Sequence, residues 1–270
     1  MNKNPIGVFD SGVGGLSVLK QFLHYLPNEN YIYLGDTARV PYGNKSQSIV
    51  QEYARQATEF FIDNEVKMIV IACNTVSAVA IEAVQKIAKS IPVIEMIRPA
   101  SEAAITSSQN SRVGVIGTRA TINSEAYIHE LKKYDKYSNL KITSTACPLF
   151  VPLVEEGYLQ SEAAELIAKD YLETFATEEI DTLVLGCTHY PFLRDLIHKI
   201  LPHVKLIDTG EAAAIQAKKI IENENISAGI EAKDGSNIEF YLTDTPYTFT
   251  NIAENLLGFK IEKIKKVNLD

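Results

Sequence analysis

The amino-acid sequence predicts an α/β fold of two pseudo-symmetric lobes with mainly parallel sheets and a site in the cleft between them. Three observations carry this expectation. Short apolar runs alternate with longer segments of helical periodicity, the pattern of strands joined by crossover helices. Features of the first half recur in the same order in the second. Two of only three cysteines, Cys73 and Cys187, stand in matching settings, IVIACNTVSA and LVLGCTHYPF, each behind an apolar run and close before a threonine.

In chain order, IGVFD, NYIYLGD, KMIVIAC and IPVIE read as the strands of the first part, because each is a short apolar run ending in small or polar residues. Between them VLKQFLHYL, SIVQEYARQATEFFIDN and SAVAIEAVQKIAKS carry apolar residues at helical spacing and read as helices. RVGVIG, KITSTAC, DTLVLGC and VKLID read as the strands of the second part. The tail adds a strand in SNIEFYLTD, a helix in TPYTFTNIAENLLG and an edge element in KIEKIKKV. GVFDSGVGGLS is echoed by GVIGTRATINS, in each case a strand, a small polar loop and a helix start, and IVIACNT is then echoed by LVLGCTH.

Composition bounds the function classes. The 270 residues are enough for one large domain or two modest ones, and 46% apolar with 22% charged residues is ordinary for a globular chain. A net charge of −8 offers no electrostatic footprint for nucleic acid or an anionic membrane, so neither is expected as a partner. The N-terminus, MNKNPIGVFD, has no signal-peptide pattern, and no stretch approaches the roughly 20 apolar residues of a membrane span. An odd, scattered set of cysteines, Cys73, Cys147 and Cys187, does not suggest a disulfide framework, which points to a reducing cytoplasm.

In open α/β sheets, ligands bind outside the carboxyl ends of the strands, and both Cys73 and Cys187 fall there. Two lobes facing each other would place one thiol on either side of a bound molecule. Asn74 and Thr75, like Thr188 and His189, are expected at helix starts, where free N–H groups attract a carboxylate and favour thiolate over thiol. Asp10, at the end of the first strand, could approach one cysteine, and His189 lies two residues beyond the other. A positioned acid or base of this kind contributes about 100- to 10,000-fold in rate. Cys147 lacks such a context and reads as a core or loop thiol. The glycines of DSGVGG complete neither nucleotide-binding fingerprint. They read instead as residues that let the backbone approach a small anion and pack closely at a helix start, with the Ser11 hydroxyl beside them.

These residues resemble those of the glutamate racemases, in the cofactor-independent aspartate/glutamate racemase superfamily. The landmarks are DSGVGGLSV at Asp10, GDTARVPYG at Gly35 to Gly43, ACNTVSA at Cys73, VEEG at Val154 to Gly157 and GCTHYPF at Cys187. The resemblance covers essentially the whole chain. It implies discontinuous lobes, 1–97 plus 210–270 and 98–209. It implies that Cys73 and Cys187 are catalytic bases for opposite enantiomers of glutamate, assisted by Asp10 and His189 respectively. Ser11, Tyr42, Gly43, Asn74, Thr75, Thr118, Thr121 and Thr188 match substrate-binding positions, as do Asp10 and His189. Glu155 matches an acidic residue on the Cys187 side, with Glu156 an alternative register.

The resemblance further implies no cofactor, a closed pocket between the lobes, D-glutamate made for peptidoglycan, and a homodimer. Binding to DNA gyrase occurs in some relatives and is not expected here. Little sequence precedes Asp10, which sets the expectation of no dependence on a cell-wall-precursor activator. Two other readings remain open from the residues. One is a thiol redox pair, which lacks a C-x-x-C motif, and the other is a small-anion or protein-binding module with incidental thiols. Within the superfamily, aspartate racemase is the nearest competitor.

Overall fold

The structure is a computed structural model that describes residues 1–136, 138–230, 237–246 and 249–269. Among the described residues, ten strands form two wholly parallel sheets. The first contains β1 (Ile6–Asp10), β2 (Tyr31–Gly35), β3 (Met68–Ile71) and β4 (Val93–Glu95). The second contains β5 (Arg112–Gly117), β6 (Lys141–Ala146), β7 (Thr182–Gly186) and β8 (Lys205–Asp208). The tail strands β9 (Ile238–Leu242) and β10 (Ile264–Lys266) extend the first sheet beyond β2.

The sheet orders, β10-β9-β2-β1-β3-β4 and β6-β5-β7-β8, contain the same permutation of four strands. That shared order gives the sequence echo a structural counterpart: β1 corresponds to β5 and β3 to β7. It also explains why the chemistry-bearing residues cluster. Asp10 pairs with Gly35, while Phe9 pairs with Ile71, so the ends of β1 and β3 lie side by side. Gly117 pairs with Gly186 in the second sheet, which brings Thr118 next to Cys187 at the corresponding edge.

Alternation of side chains along each strand builds the core on both faces of each sheet. Ile6 and Val8 join one apolar cluster with Leu16, Leu19 and Ala213, while Phe9 joins Val50, Phe61 and Ile71 on the other face. Ile116 and Leu185 likewise pack with Phe150 and Leu172, opposite Val113, Val115 and Val184 with Tyr127. Below the first sheet, buried Lys67 donates to Glu29 at 2.5 Å and to the carbonyls of Asn2 and Ile226, each at 2.8 Å. This joins three distant chain segments.

The strand readings hold, including the edge element at β10. The single helix read in SAVAIEAVQKIAKS is corrected. The chain forms Asn74–Val79, breaks at Ala80 (φ −133°, ψ 0°), and resumes as Ile81–Ala88. Apolar spacing continues through the break and so conceals it. Side chains from the helix Gln47–Asp63 satisfy the freed Val79 carbonyl, with Gln51 Nε2 at 3.0 Å and Gln47 Nε2 at 3.3 Å. Ser236, Tyr247 and Thr248, within the tail strand and helix readings, lie outside the described residues.

Candidate active site

A cavity of about 540 Å³ lies between the carboxyl edges of the two sheets. Cys73 and Cys187 both line it, one from each lobe. So do Ser11, Tyr42, Gly43, Asn74, Thr75, Thr118, Glu155, Thr188 and His189. Asp10 and Thr121 are buried behind this wall. The expected closed pocket is only partly so, because Val40 and Leu149 line the cavity while remaining 41% and 48% exposed.

Cys73 follows β3 and caps the helix Asn74–Val79. Its sulfur lies 3.7 Å from the Ser11 hydroxyl oxygen. The expectation that this helix start favours thiolate is corrected: burial and the nearby Asp10 charge push the thiol up to about 12. The Val76 N–H and the Ser11 hydroxyl pull the other way and are outweighed. One short helix offers too little positive potential to offset desolvation of a buried thiolate.

The Cys187 side is built differently. Thr188 and His189 do not begin an α-helix but form a turn into the 3-10 segment Tyr190–Leu193, and the helix Arg194–Ile200 starts beyond it. Pro191 lacks an N–H and suits the start of that segment. The turn folds His189 back so that its Nδ1 lies 3.9 Å from the Cys187 sulfur, while its Nε2 lies 3.0 Å from Glu155 Oε1. Burial alone would lower the imidazole pKa. Hydrogen bonds and charges from Cys187 and Glu155 overcome that and raise it to about 10, so His189 holds a proton at neutral pH. Glu155, at the end of the helix Phe150–Glu155, is thus the carboxylate on this side.

Asp10 is fully buried. It accepts from the Gly12 N–H at 2.9 Å and, across the cleft, from the Thr188 hydroxyl at 3.4 Å. Burial raises its pKa, opposed by the charge of His189. Asp10 therefore bridges the two halves of the site instead of hydrogen-bonding Cys73. Ser17 adds a second tie by donating to the Thr188 carbonyl at 2.7 Å.

A hydroxyl cluster closes another side. Thr75 from the first lobe lies 2.9 Å from Thr118 and 3.4 Å from Thr121, both from the second, and Thr118 lies 3.0 Å from Thr121. Gly43 explains how the lobes come so close there, since a Cβ on it would stand 2.8 Å from Thr118 Cβ. The Tyr42 hydroxyl is occupied by Asp36, which also accepts from Arg39 Nε at 2.6 Å and Thr243 at 2.9 Å. This anchors the cavity-lining turn around Tyr42 and commits the phenolic proton to Asp36.

Several participants were not legible in the sequence. Tyr127 donates to Asn74 Oδ1 at 2.6 Å from the opposite lobe, but nothing distinguishes it among 13 tyrosines. Arg119 and Tyr171 also line the cavity; Arg119 stands inside the GVIGTRATINS echo but opposite a glycine of GVFDSGVGGLS, so the repeat gives it no role, and Tyr171 lies outside the repeated stretches. Cys147 is buried in the core of the second lobe with its sulfur toward the Thr145 carbonyl, away from the cavity. Among the described residues, no group of three or more His, Cys, Asp or Glu side chains is placed to hold a metal ion.

Comparisons with known proteins agree with this geometry. The family model for Asp/Glu/Hydantoin racemase matches residues 6–217. A glutamate racemase of Chlorobium phaeobacteroides is 47% identical over 268 residues, covering 99% of this chain and 97% of its own. One from Chlorobaculum tepidum is 42% identical over 267 residues, covering 98% and 97% respectively. The crystal structure of glutamate racemase from Francisella tularensis in complex with D-glutamate superposes with a TM-score of 0.90. It is 43% identical and covers 100% of this chain and 99% of its own. The chain belongs to the Asp/Glu/hydantoin racemase family, and within it to the glutamate racemases.

Proposed function

We propose that this protein interconverts L- and D-glutamate by proton removal on one face of the α-carbon and proton delivery on the other, with Cys73 and Cys187 as the paired groups. The observation that carries the reading is one buried thiol from each lobe lining a single cavity. Inversion by this route needs an acid and a base on opposite faces, because a single group returns the proton to the face it came from.

In each direction one thiolate takes the α-proton and the opposite thiol gives its own, leaving the protonation of the pair reversed. Cys73, held as a thiol by burial, starts as the donor. His189 Nδ1 lies 3.9 Å from the Cys187 sulfur, within reach of its proton, which fits Cys187 for the opposite role. For the return direction Cys73 must lose its proton. The substrate ammonium assists, since an opposite charge within about 4–6 Å lowers such a pKa by roughly 1–3 units. Thr75, Thr118, Thr188 and Asn74 supply polar groups for the carboxylates, with Ser11 and the turn at Tyr42 and Gly43 completing the wall. Donors fixed before the substrate arrives stabilise developing charge without reorganisation.

The lobes are read as 1–97 plus 210–270 and 98–209, a division supported by strand membership of the two sheets. The product serves peptidoglycan synthesis, as in the family. A cytoplasmic location is supported by three unpaired cysteines and by the absence, among the described residues, of a helix able to cross a membrane. The assembly is read as a homodimer from the prevalence of dimers in the family. Separate Cys73→Ala and Cys187→Ala variants test the mechanism: each is expected to lose at least about 100-fold in racemisation while remaining folded. Full activity in either would overturn the two-thiol reading.

A further inference from the structure

One cationic side chain in the cavity wall is used neither by the thiols nor by the hydroxyl cluster. Arg119 directly follows Thr118 and begins the short helix Arg119–Asn123. It is exposed, yet it lines the cavity, where it is the only Lys or Arg among the described residues. The chain has six arginines, and the other five, Arg39, Arg55, Arg98, Arg112 and Arg194, all hold ion pairs. Among the described residues, Arg119 has none. Its charge reaches the Tyr171 phenol, placing it on the Tyr171 and Leu149 side of the cavity.

An unpaired guanidinium in a mouth that opens on a protein of net charge −8 meets an obvious substrate requirement. Glutamate carries two carboxylates and one ammonium, so the protein as a whole repels it. The thiols need the α-carbon between them, which directs the distal carboxylate away from the reacting centre. We propose that Arg119 captures this distal carboxylate at the cavity mouth, raising the rate of productive encounter and favouring amino diacids over amino acids without a second carboxylate. The inference rests on glutamate being the substrate. A guanidinium suits this task because its planar donors match a carboxylate and its charge persists at all working pH values.

The test is kcat/KM for glutamate across ionic strength, for the wild type and for Arg119→Lys, Arg119→Ala and Arg119→Glu. At low salt the alanine variant is expected to lose about three- to tenfold, chiefly through KM, at the lower end of electrostatic steering. The gap should close near 1 M salt, where the screening length falls to about 3 Å. Lysine should retain most of the effect. Glutamate at this position should lose more and should gain activity as salt is added. Unchanged kcat/KM in the alanine and glutamate variants, or a loss independent of salt, would overturn the proposal. A wild type inactive on glutamate would remove the substrate reading and this inference with it, whereas an active wild type with a silent Arg119→Ala removes only the inference.

Discussion

Gly14→Ala is predicted to cripple the enzyme from a residue outside the cavity lining. A Cβ on Gly14 would lie 2.3 Å from Thr188 Oγ1 and 2.5 Å from His189 Nδ1, where ordinary contact begins at 3.4 Å. Relief requires a shift of roughly 1 Å in Thr188, His189 or the turn carrying Gly14, a displacement that costs about 100-fold in rate when it misplaces reacting groups. That corresponds to about 2.7 kcal/mol in the barrier. The overpacking itself should destabilise the fold by about 1–3 kcal/mol.

The assay is racemisation from each enantiomer, with thermal unfolding as a control. Enantiomers have equal free energy, so kcat/KM must fall equally in both directions, which checks the data internally. Gly12→Ala is the matched comparison. Its Cβ meets only Val40 Cγ1 at 3.0 Å, a terminal methyl on a 41%-exposed side chain that can turn away. Because Gly12 lines the cavity, the comparison is one of stability, and Gly12→Ala should unfold within about 1 kcal/mol of wild type. Wild-type racemisation by Gly14→Ala, or equal destabilisation of the two variants, would refute the steric reasoning.

Other predictions concern separate parts of the molecule. The raised His189 pKa stabilises the fold fully below about 6.5, and this contribution is lost as pH rises through about 10. Glu155→Gln removes one cause of the rise, so the loss in melting temperature on the alkaline side should begin at lower pH; superimposable pH profiles would count against the Glu155 contact. Cys147→Ala should cost about 1 kcal/mol of stability and leave racemisation near wild type, because this thiol lies outside the cavity. A large activity loss at wild-type stability would give Cys147 a role the geometry does not. Lys67→Met leaves buried Glu29 without its cation and should destabilise by about 3–5 kcal/mol, measured by denaturant unfolding, with kcat retained at low temperature.

Much of the architecture was legible because it rests on local regularities. Parallel strands buried on both faces read as apolar runs, and DTLVLGC and KMIVIAC could be identified as β7 and β3 without tertiary information. The paired cysteines exposed the duplication that the sheet orders later displayed. What the sequence withheld depends on contacts between distant segments. Desolvation of Cys73 by the assembled cleft reversed the thiolate expectation drawn from its helix start. The break at Ala80 depends on Gln47 and Gln51 reaching across from another helix. Chain order lets Asp10 approach one cysteine and only the family resemblance assigns it to Cys73, while its hydrogen bonds go to Gly12 and Thr188. Tyr127 matters through position alone, and Arg119, although inside the GVIGTRATINS echo, stands opposite Gly12 of the first half and so has no counterpart that marks its role.

The central claim is tested most directly by incubating the purified protein with L-glutamate in heavy water, without any added cofactor, and following optical activity together with deuterium at the α-carbon. The account predicts that optical activity decays to zero while the D-glutamate formed carries deuterium, because the proton removed at one thiol is not the one delivered by the other. Inversion with full retention of the original α-proton would contradict proton exchange through two separate thiols. Absence of any change in optical activity would contradict the proposed racemisation itself.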